Sequence, residues 1–116
     1  MINVSLKTDA SKRYLRLKVR GHAEMDVKGK DIVCASATIL AYTVAQAVRD
    51  MGNTKKLAIE PVIILKDGLA TVTCVCNSDE AYWEAFMLYD FANIGYTLLA
   101  HSYPQYVKVN TVGIAN

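Results

Sequence analysis

The sequence predicts an α/β fold of the α+β type, a single domain over residues 1–116 in which a mostly antiparallel sheet is covered by two helices in the order ββαββαβ. Three features carry this expectation. Apolar residues alternate with polar ones near the N-terminus, an Asp-Gly dipeptide separates two β-branched runs in mid-chain, and each of the two long helix-forming stretches follows a pair of strands. Strands that come in pairs, with helices between the pairs, point to hairpins in one antiparallel sheet and away from strictly alternating βαβ units.

Ile2, Val4 and Leu6 repeat at the two-residue period of a half-buried strand, and after the turn-prone Thr8-Asp9-Ala10-Ser11 the period resumes at Leu15, Leu17 and Val19. The pattern stops at Gly21-His22. The segment that follows, Ala23, Glu24, Met25, Asp26, Val27, Lys28, Gly29 and Lys30, has neither period and reads as a loop able to move. Asp31 is a good N-cap for the Ala-rich run that begins at Ile32, and Gly52 is a plausible stop. Apolar side chains surround nearly all of this helix, which predicts burial against the sheet or a partner subunit. Residues 59–65 and 69–76 form the second hairpin around Lys66-Asp67-Gly68. Asn77-Ser78-Asp79-Glu80 then caps a second helix, in which Trp83, Phe86, Met87, Phe91, Ile94 and Leu98 fall at three- and four-residue intervals and predict the packed face. Tyr82, Tyr89, Tyr96 and Tyr103 make a stripe beside it, suited to a core edge or a dimer interface. Residues 106–112, past Pro104, read as a last strand.

Composition narrows the function classes. At 116 residues and 53% hydrophobic content the chain can bury one core but not two. A formal net charge of +2 supplies no strong overall field for phosphates, so no direct nucleic-acid binding is expected. There is no uninterrupted apolar signal region, and no window is expected to span a membrane. The three cysteines, Cys34, Cys74 and Cys76, are an odd number without framework spacing, which predicts reduced thiols and a cytoplasmic location.

The residues that could do chemistry are few. Cys34 is the third residue after the cap Asp31, near the exposed amides and positive end of a helix, where a thiolate is favoured. His22 closes the preceding strand, and the eight loop residues give the chain room to double back and bring the imidazole to the sulfur. First-turn amides could serve as oxyanion donors, and Thr38, one turn on from Cys34, could hydrogen-bond the sulfur or a substrate carbonyl. Asp31 could cap the helix, orient His22, or do both. Against this stands the plainer reading of Cys34 as a small buried hydrophobe, His22 as a turn residue and Thr38 as bonding its own backbone. Cys74 and Cys76 share a strand face but lack two further ligands, so they read as core packing rather than a zinc site, and no metal or cofactor is predicted. His101 suits the end of the second helix, and Lys28, Lys30, Lys55 and Lys56 read as solvated charges.

At Gly21-His22-Ala23, then Gly29, then Asp31-Ile32-Val33-Cys34-Ala35, the sequence resembles the ribosomal-processing cysteine protease family called Prp, and the resemblance runs from the opening Met1-Ile2 strand to Tyr103-Pro104-Gln105-Tyr106. It implies a Cys-His endopeptidase that removes the N-terminal extension of bacterial large-subunit ribosomal protein number twenty-seven, cutting after aromatic residues. It also implies Cys34 as nucleophile, His22 as base, a homodimer, and a lid formed by residues 23–30 with Gly29 as hinge. The chain departs from the family at Thr38, where Ser is usual; the hydroxyl is kept. Two other readings are a prophage-associated protease with another precursor, and a noncatalytic binding module of the ribosome or another RNA particle, which the placement of most aromatics on the second helix disfavours.

Overall fold

The structure, a computed structural model, describes residues 1–23 and 31–114. Seven elements follow the expected order: β1 (Ile2–Asp9), β2 (Tyr14–Arg20), α1 (Ile32–Asn53), β3 (Val62–Lys66), β4 (Leu69–Val75), α2 (Asp79–Ser102) and β5 (Val107–Ile114). The sheet order is β3-β4-β2-β1-β5, antiparallel except where β5 runs parallel to β1. The chain can add β5 beside β1 in parallel because α2 carries it back across the sheet first.

Strand register places Val4 opposite Val19, Leu6 opposite Leu17, and Leu17 opposite Val72, so one face of the sheet is continuous and apolar. Both helices cover that face. α1 buries Val33, Ala37, Ala41, Val44, Ala45, Val48 and Met51, and α2 buries Ala81, Tyr82, Ala85, Tyr89, Ala92 and Tyr96. The other face of the sheet is open.

The face that α2 turns inward differs from the one its apolar intervals predict. Trp83, Met87, Phe91, Ile94 and Leu98 are each at least half exposed, and Phe86 is only partly buried. The tyrosine stripe lies in the core instead. Alanines at 81, 85 and 92 let the helix approach the sheet closely, and the buried phenols find acceptors: Tyr89 donates to the Val72 carbonyl at 3.0 Å and Tyr96 to the Ala37 carbonyl at 2.8 Å. A buried hydroxyl with a partner is affordable, and tyrosine then fills the space as well as any apolar ring. α1 likewise leaves Ile32, Ile39 and Tyr42 exposed. By length and composition α1 could also cross a membrane, a property shared by core helices that pack on a sheet.

Element ends shift for local reasons. Asp31 caps α1 as expected, but the helix runs through Gly52 to Asn53. It stops where Lys55 takes a left-handed φ of 59° and the Lys55 and Lys56 amides donate to the Gly52 and Met51 carbonyls. This is a Schellman ending with lysine in the position glycine usually fills. β3 begins after Pro61, and the chain before it joins the end of β4 through the Ala58 amide, which donates to the Val75 carbonyl at 2.8 Å, and through a bridge between Leu57 and Cys76.

Candidate active site

The end of β2 is shaped by a glycine. Gly21 has a left-handed φ of 102° and its amide donates to the Gly68 carbonyl at 2.9 Å, while a Cβ at this position would collide with the Met1 carbonyl. Only glycine meets both demands. His22 follows at once, its carbonyl accepting from the N-terminal amine at 2.6 Å, which pins the backbone and leaves the half-exposed imidazole turned to the β3–β4 turn. There Nε2 lies 4.0 Å from the Asp67 carboxylate. Gly68, with φ of 73°, sits directly beneath the ring: a Cβ on it would stand 2.8 Å from Nε2.

Cys34 lies in the first turn of α1, intermediate in exposure while Cys74 and Cys76 are buried. The amide of Ala23 donates to its sulfur at 3.4 Å, a direct link between the residue after His22 and the Cys34 thiol. Asp31 is buried and accepts from the amides of Val33 and Cys34, both at 3.0 Å. Its carboxylate therefore fixes the turn that carries the thiol. It also changes one expectation: these two first-turn amides are engaged by Asp31 and are not spare oxyanion donors.

His22, Cys34 and Thr38 line a single open cleft of about 350 Å³, together with Tyr42 from the next turn of α1 and Lys66, Asp67 and Gly68 from the β3–β4 turn. Its apolar wall is made by Ile2, Val19, Ala37 and Ala41. A volume near the lower end of the usual ligand-site range fits a few side chains of an extended peptide, not a whole folded partner. Of the lid residues, Ala23 is buried beside the sulfur; the other lid positions, 24–30, lie outside the described residues. Among the described residues no cluster of three or more His, Cys, Asp or Glu side chains is placed to hold a metal.

A family model described as cysteine protease Prp matches residues 1–108. The chain belongs to that family. The Prp fold is also evident in solved structures. The S. aureus ribosomal processing protease Prp with a covalently linked product peptide aligns with a TM-score of 0.72 at 22% identity, over 96% of this chain and 99% of that one. The same S. aureus protease with a substrate peptide aligns at 0.66 and 18% identity, over 96% and 99%. SMU.848 from Streptococcus mutans aligns at 0.68 and 20% identity, over 98% and 96%. No curated protein matches the chain.

A Prp-family cysteine protease needs a thiol that substrate can reach, and Cys34 is the one cysteine of the three that is not buried. Cys74 and Cys76 belong to the core, where contact with Cys74 and burial push the Cys76 thiol up. His101 is exposed in the last turn of α2, as its sequence position suggests. Lys56 is not simply solvated, since it pairs with Glu84 at 2.9 Å.

Two cleft residues were not singled out from sequence. Tyr42 could have been, because positions 34, 38 and 42 are successive turns of one helix face. Asp67 was legible only as a turn residue. That the turn closes on His22 depends on β4 pairing with β2 so that Leu69 stands opposite Arg20, a register that no local pattern contains.

Proposed function

We propose that the chain is a cytosolic endopeptidase that removes the N-terminal extension from the precursor of bacterial large-subunit ribosomal protein number twenty-seven, with Cys34 as nucleophile and His22 as general base and acid. The observation that carries the proposal is the shared cleft: in a Prp-family chain, the accessible cysteine and the histidine line the same groove, with the Ala23 amide bonded to the sulfur.

The chemistry runs in two halves. His22 takes the Cys34 proton, and the thiolate attacks the scissile carbonyl carbon to form the C–S bond. As the tetrahedral intermediate collapses, the C–N bond breaks and His22 gives its proton to the departing amine. Water, deprotonated by His22, then attacks the thioester; the carboxylate product leaves and Cys34 recovers its proton. Asp67, on the Nε2 side of the ring, holds the imidazole so that Nδ1 serves the sulfur, and it offsets the charge of the imidazolium. Asp31 acts at one remove by fixing the helix turn under Cys34. The Thr38 hydroxyl, in the same cleft, is placed to meet a substrate carbonyl.

Substrate preference follows from the wall. Ile2, Val19, Ala37, Ala41 and Tyr42 make an apolar recess suited to the aromatic residue before the cut, and an extended peptide would be held between the lid and the sheet by its main chain. The working unit is a homodimer, because α2 presents Trp83, Met87, Phe91, Ile94 and Leu98 to solvent along one helix, a larger apolar stripe than a lone domain ordinarily leaves open.

The test is cleavage of a precursor peptide whose leader ends in paired aromatic residues, by the intact protein, Cys34→Ala and His22→Ala. Cutting by the intact protein alone supports the dyad and the substrate together. Rapid alkylation of Cys34 without cutting would reject this substrate and keep the protease, while an inert Cys34 would reject the dyad.

A further inference from the structure

The open face of the sheet is strongly basic, although the chain as a whole carries only +2. Register sets the outward residues in rows across the strands. Lys66, Leu69, Arg20, Asn3 and Lys108 form one row; Ile64, Thr71, Lys18, Ser5 and Asn110 lie in the next; Val62, Thr73, Arg16, Lys7 and Val112 lie in the third, so exposed apolar side chains edge the cations. Six of the chain's 13 cations are in these rows and none of its 11 carboxylates is; the row beyond adds only Asp9, opposite Tyr14, so the face carries +5 and the remainder of the chain −3.

The cations are not dispersed. Arg16, Lys18 and Arg20 follow one another along the same side of β2, and Lys7 stands directly across from Arg16. Residues two apart on a strand are separated by about 6.7 Å, inside the Debye length at physiological salt, and like charges directly opposed across a strand pair repel. The Arg16 Nε is buried and has no hydrogen-bond partner within the described residues. A sheet face arranged in this way is stabilised by a polyanion laid over it.

We propose that this face binds RNA through its phosphate backbone. Hydroxyl and amide groups, Asn3, Ser5, Thr71 and Asn110, alternate with the cations in the same rows and can meet phosphate oxygens and 2′-hydroxyls. Among the described residues the only aromatic side chain on this face is Tyr14, in the row beyond Arg16, so bases are not stacked in series and the binding is independent of sequence. The absence of stacking aromatics speaks against a base-reading module and leaves backbone binding intact. The face reaches the cleft at Lys66. The proposal does not depend on the peptidase reading, because binding is measured without cleavage.

The experiment is fluorescence anisotropy of a labelled 20-nucleotide single-stranded RNA with the full chain, from low to physiological salt, repeated with Lys7→Glu/Lys18→Glu/Lys108→Glu and with Lys12→Glu/Arg49→Glu/Lys55→Glu, which makes the same charge change off the face. With six phosphates neutralised, log affinity should fall against log salt with a slope of about −4. The face variant should bind at least about tenfold more weakly with a slope nearer −2, while its circular dichroism and peptide cleavage stay as in the parent and the control variant keeps most of the affinity. No binding by the folded parent, or an equal loss in both variants, overturns the proposal. So does equal or tighter binding to duplex DNA or to phosphatidylserine vesicles, which would make the face a general polyanion surface.

Discussion

Asp31 and Asp67 divide between them two tasks that a sequence reader would give to one residue. Asp31 is next to Cys34 in the chain and holds the turn that carries the thiol; Asp67 is far along the chain and stands by the imidazole. The distance of 4.0 Å and the exposure of both partners make this a modest, solvent-screened interaction. Asp67→Asn should therefore lower kcat by about tenfold, less than the roughly 10²–10⁴-fold that general acid–base catalysis supplies in full, with KM little changed. The decisive reading is the split between the two constants: a carboxylate that orients the imidazole acts on kcat and leaves KM alone. An unchanged kcat would reduce Asp67 to a turn residue. Cys34 and His22 were legible as cleft candidates, since Cys34 follows a cap and His22 ends a strand, but the Ala23 amide on the sulfur and the Asp67 carboxylate by the ring were not, because both depend on contacts between segments distant in sequence.

The elements behave as their local chemistry dictates, with one instructive exception in α2. Three- and four-residue spacing identifies a helix and an apolar stripe, but α2 has two stripes, and the more hydrophobic one faces out. Which stripe goes in is decided by fit: alanines allow close approach, and Tyr89 and Tyr96 have backbone carbonyls within reach. The C-terminus of α1 holds a stabilising opportunity. Lys55 sits at φ 59° in the Schellman position, where an L-residue costs roughly 1–2 kcal/mol relative to glycine. Against that, glycine gives the unfolded chain more freedom. Lys55→Gly should give a net gain of about 0.5–1 kcal/mol, seen as a rise of a few degrees in Tm. The Lys55 carbonyl that accepts from Asn77 is retained in this variant. A fall in Tm would show that the lysine side chain contributes more than its backbone conformation costs.

At the scale of the molecule the sheet separates two surfaces of opposite character. One side carries both helices and, beyond them, an apolar stripe; the other is bare and basic. The stripe predicts association. Phe91→Glu together with Leu98→Glu, both at exposed positions on α2, should leave the fold intact by circular dichroism and reduce the mass found by light scattering from twice 12.8 kDa to once. A parent that is already monomeric at micromolar concentration would overturn the dimer.

The sequence by itself determined the element order, the two hairpins, the caps at Asp31 and Ser78 and the thiol at a helix start, because alternation, turn dipeptides and capping side chains act over a few neighbouring residues. Tertiary structure alone decided which face of α2 is buried, which carboxylate meets His22, and that charges summing to +2 are sorted onto opposite sides of one sheet. Those outcomes depend on strand order and register, which bring residues such as Gly21 and Gly68 together across the fold, and the free energy that selects a register is summed over the whole packed core.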